Sequence, residues 1–437
     1  MSMIVRNSAL AAVALTSGVA WVGCAPPDPA ESEASRPMAG TEVVSAGGDS
    51  LGVVHFPSSC TEAAQKELEL GLARGHHMNY TEAEPVFRAA MEADPECALA
   101  YWGTAMTWVH PLWPDTISPE NRAAGEELLE RAAAAEHTSP REAGYVAALA
   151  GYYEGEDRSE RERLASFLTG WSAVHAENPD DMEAATFHAL ALLANAPAED
   201  KTYEKQIEAG EILQEVLAAR PGHPGAHHYT IHAYDFPPLA ERALDIARRY
   251  DDLAPENTHA LHMTSHIFTR LGLWPESIEF NTRAAEAAHD RVAGGHVSLH
   301  HLHALDYLAY AYLQQADDQA ADAVLEAMEA LEPPFQNHSA TAYAFAAVPS
   351  RLALERHDWE AAADVAVRWP AELEWDQYPY LDAIPHFARA LGAARTGDPA
   401  TAKSAIAELE RLEKAAGELD IAYDWGSLSS RMLPMIR

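Results

Sequence analysis

The chain has 437 residues, of which 48% are hydrophobic and 22% are charged. That much apolar material can build a large core, so disorder throughout the chain is excluded. Lys and Arg number 30 against 67 Asp and Glu, which leaves a net charge of −37. A nucleic-acid binder needs a basic face for the phosphate backbone, so this charge argues against nucleic acid as a partner. The 3 cysteines are too few to build a fold from disulfide bonds.

The first 23 residues have the features of an export signal. Arg6 supplies a positive flank, and Ser8–Ala20 is an apolar run too short to span a membrane stably. Small residues at 22–23 precede Cys24, a pattern that resembles the lipobox of bacterial lipoproteins, although Trp21 stands where leucine is usual. The resemblance implies cleavage before Cys24 and lipidation of that cysteine. A plain cleaved signal and an uncleaved anchor are the alternatives.

A lipid on Cys24 predicts an exported protein held at the bacterial cell envelope and touching the membrane only through that lipid. Ala25 follows in place of the aspartate associated with inner-membrane retention in Gram-negative lipoproteins. The outer membrane is therefore favoured if the organism has one. Residues 24–58 comprise this cysteine and a stretch rich in Pro, Ser, Glu and Gly, which predicts a flexible tether.

From residue 59 to the end at 437, the sequence predicts a single all-α domain. Helix-period segments alternate with short breaks, and no strand-like alternation competes with them. Proline stops a helix that precedes it, and it recurs at the predicted boundaries. These prolines are Pro95, Pro179, Pro221, Pro255 and Pro333. The spacing predicts about nine helical hairpins between residues 60 and 417.

Small and aromatic residues within these hairpins fall at the spacing of the tetratricopeptide repeat, TPR. They are Gly71, Ala83, Phe87, Ala90, Pro95, Ala243, Ala247, Pro255, Gly272, Trp274 and Ala284. The chain therefore resembles the TPR superfamily, and residues 227–274 resemble uncharacterised His-rich bacterial TPR-like proteins. The resemblance implies a right-handed α-solenoid whose first helices line a concave groove. It also implies a binding scaffold for a peptide, a protein or a small ligand, although fold alone does not fix function.

Cys60 and Cys97 lie one repeat apart, near the same ends of neighbouring predicted helices. If the protein is exported, both occupy a compartment that permits disulfides. A bridge between them and a pair of buried thiols are the two alternatives.

Histidine is concentrated in one region of the chain. There are 22 in all, and twelve of them lie between His223 and His303. The TPR phase places six on the groove face of three successive first helices, together with two acidic residues and a tyrosine. These residues are His228, His232, His259, His262, His266, His303, Asp235, Asp306 and Tyr310. His296 and His300 continue the face of the third helix if that helix extends far enough towards the N-terminus.

Imidazoles four residues apart on a helix can hold one transition metal. Packed helices lie about 8–10 Å apart, so histidines from two of them can converge on one ion. Imidazole with some carboxylate suits Zn, Cu, Fe or Ni. Asp235 or Asp306 is predicted as a further ligand, as a partner that fixes an imidazole tautomer, or as a general base. A polar lining for a peptide and crowded packing are the alternatives to a metal site.

Two functions are compatible with this cluster. The first is a binding scaffold with a metal site or a polar groove. The second is a metal-dependent hydrolase or oxidase, with Asp235 or Asp306 as base and Tyr310 as acid or hydrogen-bond donor. Outside the cluster, His76 and His77 are predicted at a helix end or on the surface. Trp102 is predicted at a groove position.

Overall fold

The computed structural model describes residues 45–46, 49–113, 115–290 and 294–419. The predicted signal at residues 1–23 and the predicted lipidation site at Cys24 lie outside these ranges. Within them, none of the helices combines the length and the apolar character that a membrane crossing requires.

The described residues form nine consecutive helical hairpins, which confirms the predicted all-α solenoid. The fifth hairpin is irregular, because its second arm is broken into a 3-10 turn and two short helices. The helices are α1 (Glu62–His76), α2 (Tyr80–Ala93), α3 (Ala98–Met106), α4 (Pro119–Ala134), α5 (Pro140–Tyr153), α6 (Glu160–Glu177), α7 (Met182–Ala194), α8 (Glu204–Ala219), α9 (Pro224–Tyr234), a 3-10 turn (Ala240–Ala243), α10 (Leu244–Ala247), α11 (Tyr250–Leu253), α12 (Thr258–Leu271), α13 (Trp274–Asp290), α14 (Leu299–Gln314), α15 (Asp318–Glu329), α16 (Ser339–Glu355), α17 (Trp359–Asp364), a 3-10 turn (Trp375–Gln377), α18 (Pro379–Thr396) and α19 (Pro399–Gly417).

Local sequence explains where these helices begin and end. Ser139 and Ser159 each form a reciprocal capping box with a glutamate three residues later. Pro224 occupies the first turn of α9, where its missing N–H costs nothing. The five predicted boundary prolines all lie in turns or bends between helices.

The packed structure begins before the predicted domain boundary at residue 59. Two short strands, Ser45–Ala46 and Asp49–Ser50, pair antiparallel. The extended segment that follows buries the side chains of Leu51, Val54 and Phe56. The Val53 N–H donates to the carbonyl of Gly222 at 2.8 Å, which ties the segment to the start of the fifth hairpin. The last residues of the predicted tether are therefore part of the fold.

Trp102 does not face a groove. Its side chain is fully buried, and its ring packs edge-on against Tyr145 and Phe187, each at a centroid distance of 5.5 Å. Phe187 in turn stacks on Trp171 at 4.5 Å. The rings come from α3, α5, α6 and α7, so this aromatic cluster joins the second, third and fourth hairpins.

Cys60 and Cys97 form a disulfide bond with a Cα–Cα distance of 5.0 Å. Of the two alternatives that the sequence leaves open, the structure therefore has the bridge. It ties the residue before the N-cap of α1 to the N-cap residue of α3.

Replacing both cysteines, Cys60→Ser/Cys97→Ser, is expected to lower the free energy of unfolding. The bridge closes a loop with a sequence separation of 37. The loop-entropy model gives about 4 kcal/mol for a loop of this size. Urea unfolding followed by circular dichroism measures the change, and reduction of the wild-type protein should reproduce it. An unchanged midpoint in both experiments would contradict the prediction.

Candidate metal centre

Three successive first helices bring the histidines together. The structure packs α9 against α12 and α12 against α14. Helical spacing of three and four residues places His228 and His232 on one face of α9, and His259, His262 and His266 on one face of α12. His303 faces them from α14. Six of the eight predicted metal ligands are thereby divided into two groups of three.

The first histidine trio consists of His228, His232 and His259. The Nε2 atom of His228 lies 3.1 Å from Nε2 of His232 and 3.2 Å from Nε2 of His259. The other ring nitrogen of His228 donates to the carbonyl of His76 at 2.6 Å. That carbonyl belongs to the last residue of α1, where a helix leaves its carbonyls without an internal partner.

The second histidine trio consists of His262, His266 and His303. The Nε2 atoms of His262 and His266 are 2.9 Å apart. The Nδ1 atom of His262 lies 2.8 Å from the side-chain oxygen of Asn281, and Nδ1 of His266 lies 2.9 Å from a carboxylate oxygen of Asp235. The amide group of Asn281 donates to the carbonyl of Ser277, which fixes the orientation of its oxygen.

These partners assign the tautomers of the rings. A carbonyl or carboxylate accepts a hydrogen bond, so His228, His262 and His266 each carry a proton on Nδ1. In the second trio, two lone pairs then face each other across 2.9 Å unless a cation, either a shared proton or a metal ion, lies between them. A tetrahedral ion with bonds of about 2.0–2.1 Å places its nitrogen ligands about 3.3 Å apart. The Nε2–Nε2 distances of 3.1 and 3.2 Å in the first trio and 2.9 Å in the second are therefore close to those of a metal site.

Each trio also contains one buried ring nitrogen without a partner among the described residues. The Nδ1 atoms of His259 and His303 are buried, and in the described structure they have no hydrogen-bond partner. Such unpaired buried atoms are uncommon in folded proteins. The cluster restricts access by large ligands, because His228, His259 and His262 are only 0%, 6% and 2% exposed, whereas His232, His266 and His303 are half-buried.

Burial keeps the imidazoles neutral. Burial, with a smaller contribution from neighbouring imidazoles, lowers the pKa of His232 and of His303 to about 3. Burial also places the pKa values of His228, His259 and His262 well below 6.5. At neutral pH these five rings therefore offer lone pairs rather than charges, as a metal ligand must.

Asp235 and Tyr307 border the second trio. Burial alone would raise the pKa of Asp235, but His266 and the guanidinium of Arg270 outweigh it and lower that pKa. The ring of Tyr307 lies 4.7 Å from that of His262 and stacks on that of His266 at 4.9 Å. Sequence reasoning missed Tyr307, although it lies four residues after His303 and hence on the same helix face.

The other predicted site residues lie elsewhere. Asp306 accepts a hydrogen bond from Arg351 at 2.7 Å, and the guanidinium of Arg351 lies over the ring of Tyr310 at 4.9 Å. Neither side chain has a described contact with the trios. His296 does not continue the face of α14, because Ser298 caps that helix and His296, which is exposed, precedes it. His300 does lie on α14, with its ring 5.3 Å from that of His259.

A third buried group, missed by sequence reasoning, supports the first trio. His76 and His223 each place Nε2 against the carboxylate of Glu183, at 2.8 and 3.1 Å. Nδ1 of His76 contacts the hydroxyl of Tyr229, and Nδ1 of His223 accepts from the backbone of α9. A side chain at Gly225 would begin 2.4 Å from His76, so only glycine allows this approach. Every ring nitrogen of His76 and His223 has a hydrogen-bond partner. We therefore interpret this group as a structural link between α1, α7 and the start of α9.

Truncating Glu183→Ala is expected to lower the free energy of unfolding by about 3–5 kcal/mol, because two buried imidazole N–H groups lose their acceptor. Burial alone would raise the pKa of Glu183, but His223 and His76 outweigh it and lower that pKa. The carboxylate is therefore charged at neutral pH. Urea unfolding measures the loss, with Glu183→Gln as a milder control that keeps one acceptor. A loss below about 1 kcal/mol in the alanine variant would contradict this prediction.

Comparison with known proteins adds little to this geometry. No protein-family model and no curated protein matches the chain. A tetratricopeptide repeat protein from Parabacteroides merdae is similar over 79% of this chain and 100% of its own, at 13% identity and a TM-score of 0.36. Human IFIT1, solved as a dimer with PPP-AAAA, is similar over 82% of this chain and 74% of its own, at 12% identity and a TM-score of 0.38. Likenesses this distant carry no conclusion about function.

Proposed function

We propose that this protein is an exported, lipid-anchored α-solenoid that binds a transition metal in its interior through the two histidine trios. One observation carries the proposal. Two imidazoles, each of which donates its Nδ1–H to a fixed acceptor, bring their Nε2 atoms within 2.9 Å of each other. Imidazole ligands suit Zn, Cu, Fe or Ni rather than Mg or Ca.

The site favours a small ligand over a peptide or a protein. Three ligands leave an open coordination position on a tetrahedral ion, and an exogenous molecule can fill it. The burial of the rings restricts that molecule to a small one. The net charge of −37 supports a partner other than nucleic acid.

A metal-dependent hydrolase or oxidase is the second candidate function. The observation that favours it is the position of Tyr307, whose ring stacks on that of His266 at 4.9 Å and lies 4.7 Å from that of His262. A phenol is a hydrogen-bond donor and a weak acid, which are roles that such an enzyme needs beside its metal. Tyr307 takes over the role that the sequence assigned to Tyr310. Asp235 orients His266, since its carboxylate is held by that ring and by Arg270.

Elemental analysis of the full chain, purified without a polyhistidine tag, tests the proposal. The wild-type protein is expected to hold Zn, Cu, Fe or Ni near stoichiometry, and His262→Ala/His266→Ala is expected to lose metal. The matched control is His175→Ala/His188→Ala, which removes another contacting pair whose centroids lie 5.2 Å apart. Absence of metal from the folded wild-type protein, even after metal is offered, would refute the metal site and favour a metal-free interaction scaffold.

The Cys60–Cys97 bridge supports export, because disulfides persist in oxidising compartments. Metabolic labelling with palmitate tests the anchor at Cys24. We expect lipid on the wild-type protein and none on Cys24→Ser. Export without lipid would leave a plain cleaved signal.

Replacing Asp235→Asn is expected to weaken metal binding by about 10–100-fold, because the carboxylate that orients His266 is lost. Competition with a chromophoric chelator measures the affinity. Asp306→Asn is the control, since Asp306 pairs with Arg351 away from the trios. Equal affinities in the wild-type protein and Asp235→Asn would exclude this orienting role.

A further inference from the structure

We infer that the centre holds two metal ions side by side, one at each histidine trio, and that a small anion is bound between them. The inference rests on the proposed metal binding and adds the number of ions and the class of their ligand. The sequence alone suggested that histidines from two helices converge on one ion. The structure instead divides six histidines between two sets of three.

Each trio is a separate set of ligands. Ring centroids of His228 and His232 are 4.9 Å apart, and those of His262 and His266 are 4.8 Å apart. The ring of His303 lies 4.3 Å from that of His262 and 6.3 Å from that of His266, and the nearest rings of different trios, His259 and His262, are 6.4 Å apart. In each trio the three ligand nitrogens lie within 4.8 Å of one another. Three nitrogens gathered in this way provide three of the four positions of a tetrahedral ion.

The two sets are nevertheless neighbours, because both use α12. His259 belongs to the first trio, and His262, one turn further along, belongs to the second. On the other side, the rings of His232 and His266 approach to 6.5 Å. Two ions held by such closely adjoining rings lie within reach of one small bridging molecule, as in other two-metal sites.

Charge balance indicates that this molecule is an anion. All six ligands are imidazoles, which bind a metal ion in their neutral form. Among the described residues, Asp235 supplies the only carboxylate hydrogen-bonded to either trio, and Arg270 offsets its charge. Two divalent ions would therefore bring four uncompensated positive charges into a buried site. A hydroxide or an anion of similar size between the ions reduces this charge.

Copper is the metal used to test the inference. Among the divalent metals of the first transition row it binds nitrogen ligands most tightly, and it suits a site made only of imidazole. Two Cu(II) ions that share a bridging anion couple magnetically, so they give less paramagnetic resonance signal than two separate ions. The full chain is loaded with Cu(II), dialysed and examined for copper content and spin count. This measurement needs no variant.

The wild-type protein is expected to hold two copper ions per chain with a spin count well below two. His232→Ala/His259→Ala and His266→Ala/His303→Ala are each expected to hold one copper with a full signal. Azide serves as the anion probe, and we expect its affinity to fall at least tenfold in both variants. His175→Ala/His188→Ala controls for the loss of two imidazoles elsewhere.

The outcomes separate the two levels of inference. No bound copper in the wild-type protein would refute the proposed function itself. One copper per chain, lost in both trio variants, would overturn the two-ion centre and leave the metal site standing. Two copper ions with a full spin count, and with azide binding unchanged in the variants, would show two independent sites without a bridging anion.

Discussion

Removal of the bound metal is expected to lower the free energy of unfolding by about 4 kcal/mol for each ion, when the free metal had been present at 1,000 times its dissociation constant. The reason is that the ligands meet only in the folded chain. His228 and His232 lie on α9, and His303 lies on α14, so unfolding disperses each trio. Metal binding therefore adds directly to stability.

Thermal unfolding before and after dialysis against a chelator measures this effect. The wild-type protein should melt at a lower temperature once the metal is removed. The variant His262→Ala/His266→Ala should show a smaller difference, because only the first trio is left. An identical melting temperature with and without chelator, in a protein shown to contain metal, would contradict the prediction.

Acidification of the metal-free protein is expected to unfold it between about pH 6.5 and pH 4. Burial lowers the pKa of His77, His232 and His303 to about 3 in the folded chain, against 6.5 for an ordinary histidine. Below pH 6.5 the unfolded chain therefore binds more protons than the folded chain does. The free energy of unfolding consequently falls as the pH falls. Each such histidine contributes about 1.4 kcal/mol per pH unit until its folded pKa is reached.

Other histidines add to this loss with the same sign. Burial lowers the pKa of His227, His300 and His338 to about 4. Tryptophan fluorescence and circular dichroism at pH values from 7.5 to 3.5 would follow the transition. Metal should move it to lower pH, because protons must then displace a ligand-bound ion. Constant stability down to pH 4.5 in the metal-free protein would contradict the prediction.

Sequence periodicity predicted the fold well, because it reflects local chemistry. The boundary prolines and the helix-period segments depend on residues close together in the chain, and they identified nine hairpins. The TPR phase also placed His228, His259 and His303 on facing helices, since the direction of a side chain follows from its position on a helix. It failed at His296, because the N-cap at Ser298 starts α14 after that residue.

The details of the site depended on contacts between residues far apart in the chain. His76 does lie at a helix end, as predicted, but it is buried rather than on the surface. Its carbonyl accepts a hydrogen bond from His228 and its ring accepts one from Tyr229, both more than 150 residues later in the chain. Asp235 and Asp306 were equivalent candidates by sequence. The structure places Asp235 against His266 and Asp306 against Arg351, because the neighbours of each helix decide which partner is within reach.

The sequence by itself determined that this protein is an all-α repeat with histidines concentrated on the faces of three successive first helices. Only the tertiary structure decided that these histidines form two trios. It alone also decided that the buried carboxylate of Glu183 binds His76, at the helix end beside the first trio. The physical reason is how far along the chain the interacting residues lie from one another. Helical periodicity fixes the face on which an imidazole lies, whereas the distance between two Nε2 atoms depends on how separate helices pack.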